Sequence, residues 1–308
     1  MRSLYLFASI VVLAACGGDG DDVVLGDPTV HVGNINVDLN DDDPPTTTMA
    51  GVVRDKAEPA GVQWDSQLTD GDCQLLTPRA PFCPAGCGSD VCVADGVCEA
   101  HGVKQDVGTV HVAGVSTTAG ASEFDLRLTS GGTYQVPGTV SLAYPGVTDG
   151  GAVTVTASGS AFTPAFTATA AGISPLVVTN PELRLARDEA KAVAWAPGSA
   201  TDTRIVIELD ISHHGGLRGK IVCDTADDGA LTLSGPMISA LLDLGTAGFP
   251  TIKLTRTSVG SALTTAGRVD LTVASLIERP VTVPGVISCN DDTACTPPAT
   301  CQDDLTCQ

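Results

Sequence analysis

The chain is short of aromatic residues and of positive charge, and it has no apolar run long enough to cross a bilayer. Six Phe, three Tyr and two Trp occur among 308 residues, too few to serve core packing and also an exposed stacking platform for sugars. Lys and Arg number 16 against 36 Asp and Glu, a formal charge of −20. With no basic cluster to meet phosphates, nucleic acid is excluded as a partner. The same charge keeps the chain off anionic headgroups. Motifs that fix a catalytic chemistry are also missing: there is no Gly-x-Ser-x-Gly elbow, no His-Glu-x-x-His and no phosphate loop. A Ser-His-Asp triad has no fixed spacing, so none is assigned.

What the chain does have begins with Met1-Arg2-Ser3, one positive charge, followed by an apolar stretch from Leu4 to Ala15. Such a stretch has the length of a signal h-region, whereas a transmembrane helix needs about 20 residues. The stretch ends in Leu13-Ala14-Ala15-Cys16, which resembles the lipobox of bacterial lipoproteins at all four positions. The resemblance implies thioether lipidation of Cys16 and cleavage before it. A thioether-linked diacylglycerol and an N-acyl chain make three chains; each buried CH₂ adds about 0.8 kcal/mol of membrane affinity, so such an anchor is lasting. Gly17 after the modified Cys resembles signals that permit release to the outer membrane.

Once Cys16 is assigned to lipid, ten of the eleven cysteines remain. An even number in an exported chain reads as a disulfide framework. Five of them, Cys73, Cys83, Cys87, Cys92 and Cys98, stand in a Gly- and Pro-rich module; Cys289, Cys295, Cys301 and Cys307 close the chain at equal spacing; Cys223 stands alone. The tail cysteines can pair locally. Parity then predicts that Cys223 bridges the first module to the later β region.

Composition divides the chain into six segments: a signal peptide at 1–15, a lipidated acidic tether at 16–48, a Cys-rich module at 49–104, a first β-sandwich at 105–179, a second at 180–288, and a Cys-rich tail at 289–308. The tether holds eight Asp and no Lys or Arg, and low hydrophobicity with one sign of charge disfavours ordering. From about 105, short runs rich in Val, Thr and Ala alternate between Gly and Pro breaks, an all-β texture of two antiparallel sandwiches or one continuous sandwich. Phe124, Leu126 and Leu128 alternate with Asp125 and Arg127; Ile205, Ile207, Leu209 and Ile211 alternate with Arg204, Glu208 and Asp210. Further strands are expected at 107–113, 151–158, 174–179, 191–196, 217–223, 251–258 and 268–276. Asp228-Gly229 signals a hairpin into Ala230–Leu233. One helix is expected from Pro236 to Leu244.

Three clusters have metal-ligand chemistry. Adjacent strand residues point to opposite faces, so His213-His214 could share a metal only in a turn. Cys83, Cys87, Cys92 and Cys98 with His101 could be imagined around zinc, although an oxidising compartment favours disulfides. Asp224-Thr225-Ala226-Asp227-Asp228-Gly229 resembles half a calcium loop but lacks ligands at its third and twelfth positions. No cofactor beyond the lipid is expected.

Cys73-Gln-Leu-Leu-Thr-Pro-Arg, Pro81-Phe82-Cys83-Pro-Ala-Gly-Cys87, Asp210-Ile-Ser-His-His-Gly-Gly216 and the Cys289 to Cys307 tail resemble exported lipoproteins of myxobacteria. That resemblance implies an envelope location and a disulfide-stapled β ectodomain, and it carries no catalytic residue over. The expected role is non-enzymatic, binding or structural, with an envelope protein or a small apolar ligand as partner. A metal-dependent or hydrolytic envelope enzyme using the His213-His214 loop is the alternative.

Overall fold

The structure, a computed structural model, describes residues 24–180 and 182–308. Cys16, the signal segment, the first residues of the tether and Pro181 lie outside the described residues. Strand makes up 44% of the chain and helix 4%, so the all-β class is correct.

The strands in chain order are β1 (His31–Asn40), β2 (Thr46–Val53), β3 (Gln63–Asp70), β4 (Cys73–Arg79), β5 (Val91–Ala94), β6 (Val97–Glu99), β7 (Val110–Ala113), β8 (Glu123–Leu128) and β9 (Tyr134–Gln135). They continue with β10 (Ala152–Ala157), β11 (Phe166–Ala171), β12 (Leu183–Arg184), β13 (Lys191–Ala194), β14 (Arg204–Asp210), β15 (Lys220–Ala226) and β16 (Ala230–Leu233). Helix α1 (Gly235–Asp243) precedes the long hairpin β17 (Thr251–Leu263) and β18 (Arg268–Thr282).

One large sheet runs β11-β10-β7-β8-β9-β2-β1-β18-β17-β14-β15-β4-β3, with β12 beside β18. Its end strand β11 folds back against β17. A Cβ at Gly260 would stand 1.9 Å from the Thr169 carbonyl oxygen, so glycine there allows the approach. The pair β13-β16 forms a separate small sheet, as does β5-β6.

Two hydrophobic clusters fill this arrangement. The first gathers Ile35, Val37, Leu39, Val112, Val155 and Val273; the second gathers Ile205, Ile207, Leu209, Trp195, Met237 and Leu254. They are two lobes on one sheet, because β18 serves both: Val269, Leu271 and Val273 face the first, Ile277 and Val281 the second. Between them the inward face of β17 and β18 turns polar, at Ser258 and Ser275. Ser258 Oγ accepts from the Ala171 N–H at 3.0 Å and Ser275 Oγ from the Leu176 N–H at 2.9 Å. The crossing from one lobe to the other therefore falls at 171–176, a few residues before the expected division near 180.

The tether expected over 16–48 does not extend past residue 30. Ile35, Val37 and Leu39 alternate with Asn34, Asn36, Asp38 and Asn40, which buries one face of β1 between β2 and β18. Period-2 alternation outweighs the acidic composition. The Cys-rich module also enters the sheet, since β3 pairs β4 and β4 pairs β15. Residues 174–179 do not form a strand; they are held through an isolated bridge between Val178 and Trp195.

Helix α1 begins as its sequence dictates. Ser234 caps it, its Oγ accepting from the Met237 N–H at 3.4 Å, and Pro236 occupies the first turn. Met237, Ile238 and Leu241 are buried against the second lobe.

Candidate functional site

The ten cysteines beyond Cys16 close five disulfides. Cys73 and Cys223 face each other in the register of β4 and β15 and form the bridge that parity demanded. Cys83–Cys92 and Cys87–Cys98 interlace in the first module, and Cys289–Cys301 and Cys295–Cys307 interlace in the tail. Cysteine ligates zinc as a thiolate, and the sulfurs of Cys83, Cys87, Cys92 and Cys98 are consumed in these bonds. His101 turns instead to Glu58.

His213 and His214 follow β14 in a turn, with His214 at φ 64°. Phe249 N–H donates to the His213 carbonyl at 2.8 Å, and a Cβ at Gly215 would lie 2.2 Å from the Gly248 nitrogen. The turn is thus fixed against the segment ahead of β17. It brings the two rings to 3.9 Å between centroids and His213 Nε2 to 3.7 Å from a Glu278 oxygen. Among the described residues, the sets of three or more metal-ligating groups within 4.8 Å of one another are both cysteine sets, and neither includes these histidines.

The acidic run Asp224–Gly229 makes neither a hairpin nor a calcium loop. Strand β15 belongs to the large sheet and β16 pairs β13, so the turn passes between layers. Asp227 points inward. Arg256 Nε donates to it at 2.7 Å, Trp195 Nε1 at 2.8 Å and the Gly198 N–H at 3.2 Å. Burial pushes the Asp227 carboxyl up, but the Arg256 bond and charge, then the Trp195 and Gly198 donors, hold it below the usual carboxylate range. Both oxygens of this carboxylate are committed to donors of the protein, which leaves the run without its central calcium ligand.

A pocket of about 320 Å³ opens at the end of the second lobe, near the lower limit of roughly 300–1,000 Å³ for small-molecule sites. Its walls are Val178, Leu183, Val193, Ile252, Leu254 and Pro280, and its polar groups come from Asn180, Glu182, Arg279 and Thr282. Asn180 is occupied, its Nδ2 donating to the Ala192 carbonyl and its Oδ1 accepting from the Ala194 N–H. Arg279 belongs to no motif and carries no compositional signal in the sequence. In Ile277-Glu278-Arg279-Pro280-Val281 it shares the strand phase of the buried Ile277 and Val281 but is itself exposed. Its side chain is half exposed and reaches Asp41, so the core opens at this point of the strand.

Elsewhere, the outward row of β1 carries Asp38 between Asn36 and Asn40. Among the described residues no hydrogen bond or ion pair reaches the Asp38 carboxylate, and burial pushes it above the usual range. No protein-family model matches the chain, and a search of curated proteins finds no significant match.

Proposed function

We propose that the chain is an exported lipoprotein, anchored to the bacterial outer membrane through an acylated Cys16, whose β region has a binding role without catalysis. The observation that carries this reading is the closure of ten cysteines into five bonds, none of which requires Cys16. Such a framework belongs to an oxidising compartment, and the odd cysteine stands in a lipobox-like context at the end of an apolar segment. Fourteen residues lie between Cys16 and the first strand at His31, a span of at most about 54 Å when fully extended. The anchored protein would hold its sheet near the membrane. A binding role fits the pocket, whose lining includes no His, Cys or Ser.

The test is fractionation of wild-type and Cys16→Ala chains, with mass spectrometry of the N-terminal peptide. The wild type is expected with the outer membrane and to carry a diacylglyceryl thioether and an N-acyl chain. Cys16→Ala is expected in the soluble fraction. An unmodified wild-type N-terminal peptide, or a variant that stays membrane-bound, overturns the reading.

A further inference from the structure

The pocket at the end of the second lobe lies between two layers that separate before their apolar surface is covered. Ile252 and Leu254 of β17 supply one wall, and Val178, Leu183 and Val193 the other. These walls offer water few partners, and a water in a cavity needs two to four polar neighbours. The interior therefore suits an apolar body.

The mouth sets the charge of what can enter. Arg279 Nη2 donates to Asp41 at 2.8 Å and Nη1 to the Glu278 carbonyl at 2.9 Å, so its positive charge is already balanced. Glu182 lines the same mouth, and among the described residues no cation pairs with it. The surplus at the opening is one carboxylate, set in a chain of formal charge −20. Both the local and the overall field repel anions and draw cations.

We propose that this pocket binds a small organic cation, a compact apolar body with a single ammonium group, the body lying between Val193 and Leu254 and the ammonium meeting Glu182. The proposal deepens the binding role above and rests on it, but not on the lipid anchor. Arg279 and its partner Asp41 flank the entrance and exclude carboxylates from the one guanidinium that could hold them. The preference is electrostatic at an open mouth, so salt weakens it.

The experiment is calorimetric titration of the mature full-length chain, in detergent, with three probes sharing one chain: hexylammonium, hexanol and hexanoate. Hexylammonium is expected to bind roughly tenfold more tightly than hexanoate, with hexanol between them, a difference that attraction and repulsion at one exposed carboxylate can supply. Glu182→Gln is expected to bring hexylammonium to the affinity of hexanol. Thr282→Trp, at an exposed strand position on the rim, is expected to abolish binding of all three. The proposal is overturned if no probe binds, if hexanoate binds most tightly, if Glu182→Gln leaves the order unchanged, or if a folded Thr282→Trp chain still binds. The Cys16→Ala fractionation is unaffected by any of these results, so the two readings fail separately.

Discussion

Arg256 Nε lies 2.7 Å from Asp227 Oδ2, with the arginine 1% and the aspartate 4% exposed, at the polar seam between the two hydrophobic lobes. The guanidinium also donates to the Ser174 and Pro175 carbonyls, on the segment that crosses from one lobe to the other, and to the Ala196 carbonyl. One buried cation thus ties a strand of the large sheet, the turn between the layers and the inter-lobe crossing. Removing one partner of such a pair leaves the other charge buried without compensation.

Arg256→Met is accordingly expected to cost about 3–5 kcal/mol, read as a shift of the urea midpoint at constant slope. Arg256→Met with Asp227→Asn should be less destabilised than Arg256→Met alone, because the orphaned charge is gone while Trp195 keeps an acceptor. The Asp227 pKa is depressed in the fold, so the pair's contribution is present above the ordinary carboxylate range and is lost as pH falls through the depressed value. A double variant no more stable than the single one refutes the buried-charge account.

The disulfides should differ in weight. Cys73 and Cys223 are 150 residues apart and Cys83 and Cys92 only 9. On the chain-entropy account, cross-linking stabilises by about 5 kcal/mol in the first case and about 2.5 kcal/mol in the second. Cys73→Ser with Cys223→Ser is therefore expected to lower the melting temperature more than Cys83→Ser with Cys92→Ser. Equal losses would place the stabilisation in local packing.

The legible parts of the fold were those with clean alternation. Ile205, Ile207 and Leu209 mark β14 in the sequence and, with Ile211 just beyond its end, are all fully buried. Strand β1 has the same period, yet its outward residues are Asn and Asp among eight tether aspartates, and composition concealed the pattern. Strand β3 is an edge strand, Gln63-Trp64-Asp65-Ser66-Gln67-Leu68-Thr69-Asp70, largely exposed and without alternation. Nothing local marks such a strand; its partner β4 defines it. Cys223 was found by parity, a global constraint. Arg256 and Arg279 both interrupt apolar phases, which flags them as anomalous. Only the folded arrangement distinguishes the one that meets a buried acid from the one that guards an opening.

Tyr134 is expected to matter beyond its size. Its ring is buried, its hydroxyl accepts from the Val107 N–H at 2.8 Å, and Asp106 and the Gly108 carbonyl stand ready to receive its proton. Tyr134→Phe leaves a buried N–H without an acceptor and should cost about 1–3 kcal/mol. Burial, with the nearby Asp106 charge, pushes the Tyr134 pKa up to about 12. The unfolded chain releases this proton near pH 10. Wild-type stability should therefore fall between about pH 10 and 12, and chemical denaturation across that range should show a flatter alkaline limb for Tyr134→Phe.

Asp38 gives the opposite sign to Asp227. It faces outward in the middle of the sheet, opposite Thr48 on β2 and Ala274 on β18, neither of which can neutralise it. Its pKa is raised by burial, so the folded chain holds the proton more tightly than the unfolded one. Protonation favours the fold, and that benefit is lost as pH rises through the raised value. Asp38→Asn removes the charge and keeps a group that matches Asn36 and Asn40, and at neutral pH it should stabilise the chain by up to about 1 kcal/mol, since water still screens the site. The gain should vanish on acidification, when the wild-type carboxyl is itself neutral. Denaturation midpoints of the two chains measured from pH 7 to pH 4 should converge; midpoints that diverge instead would mean that the Asp38 carboxylate is stabilising.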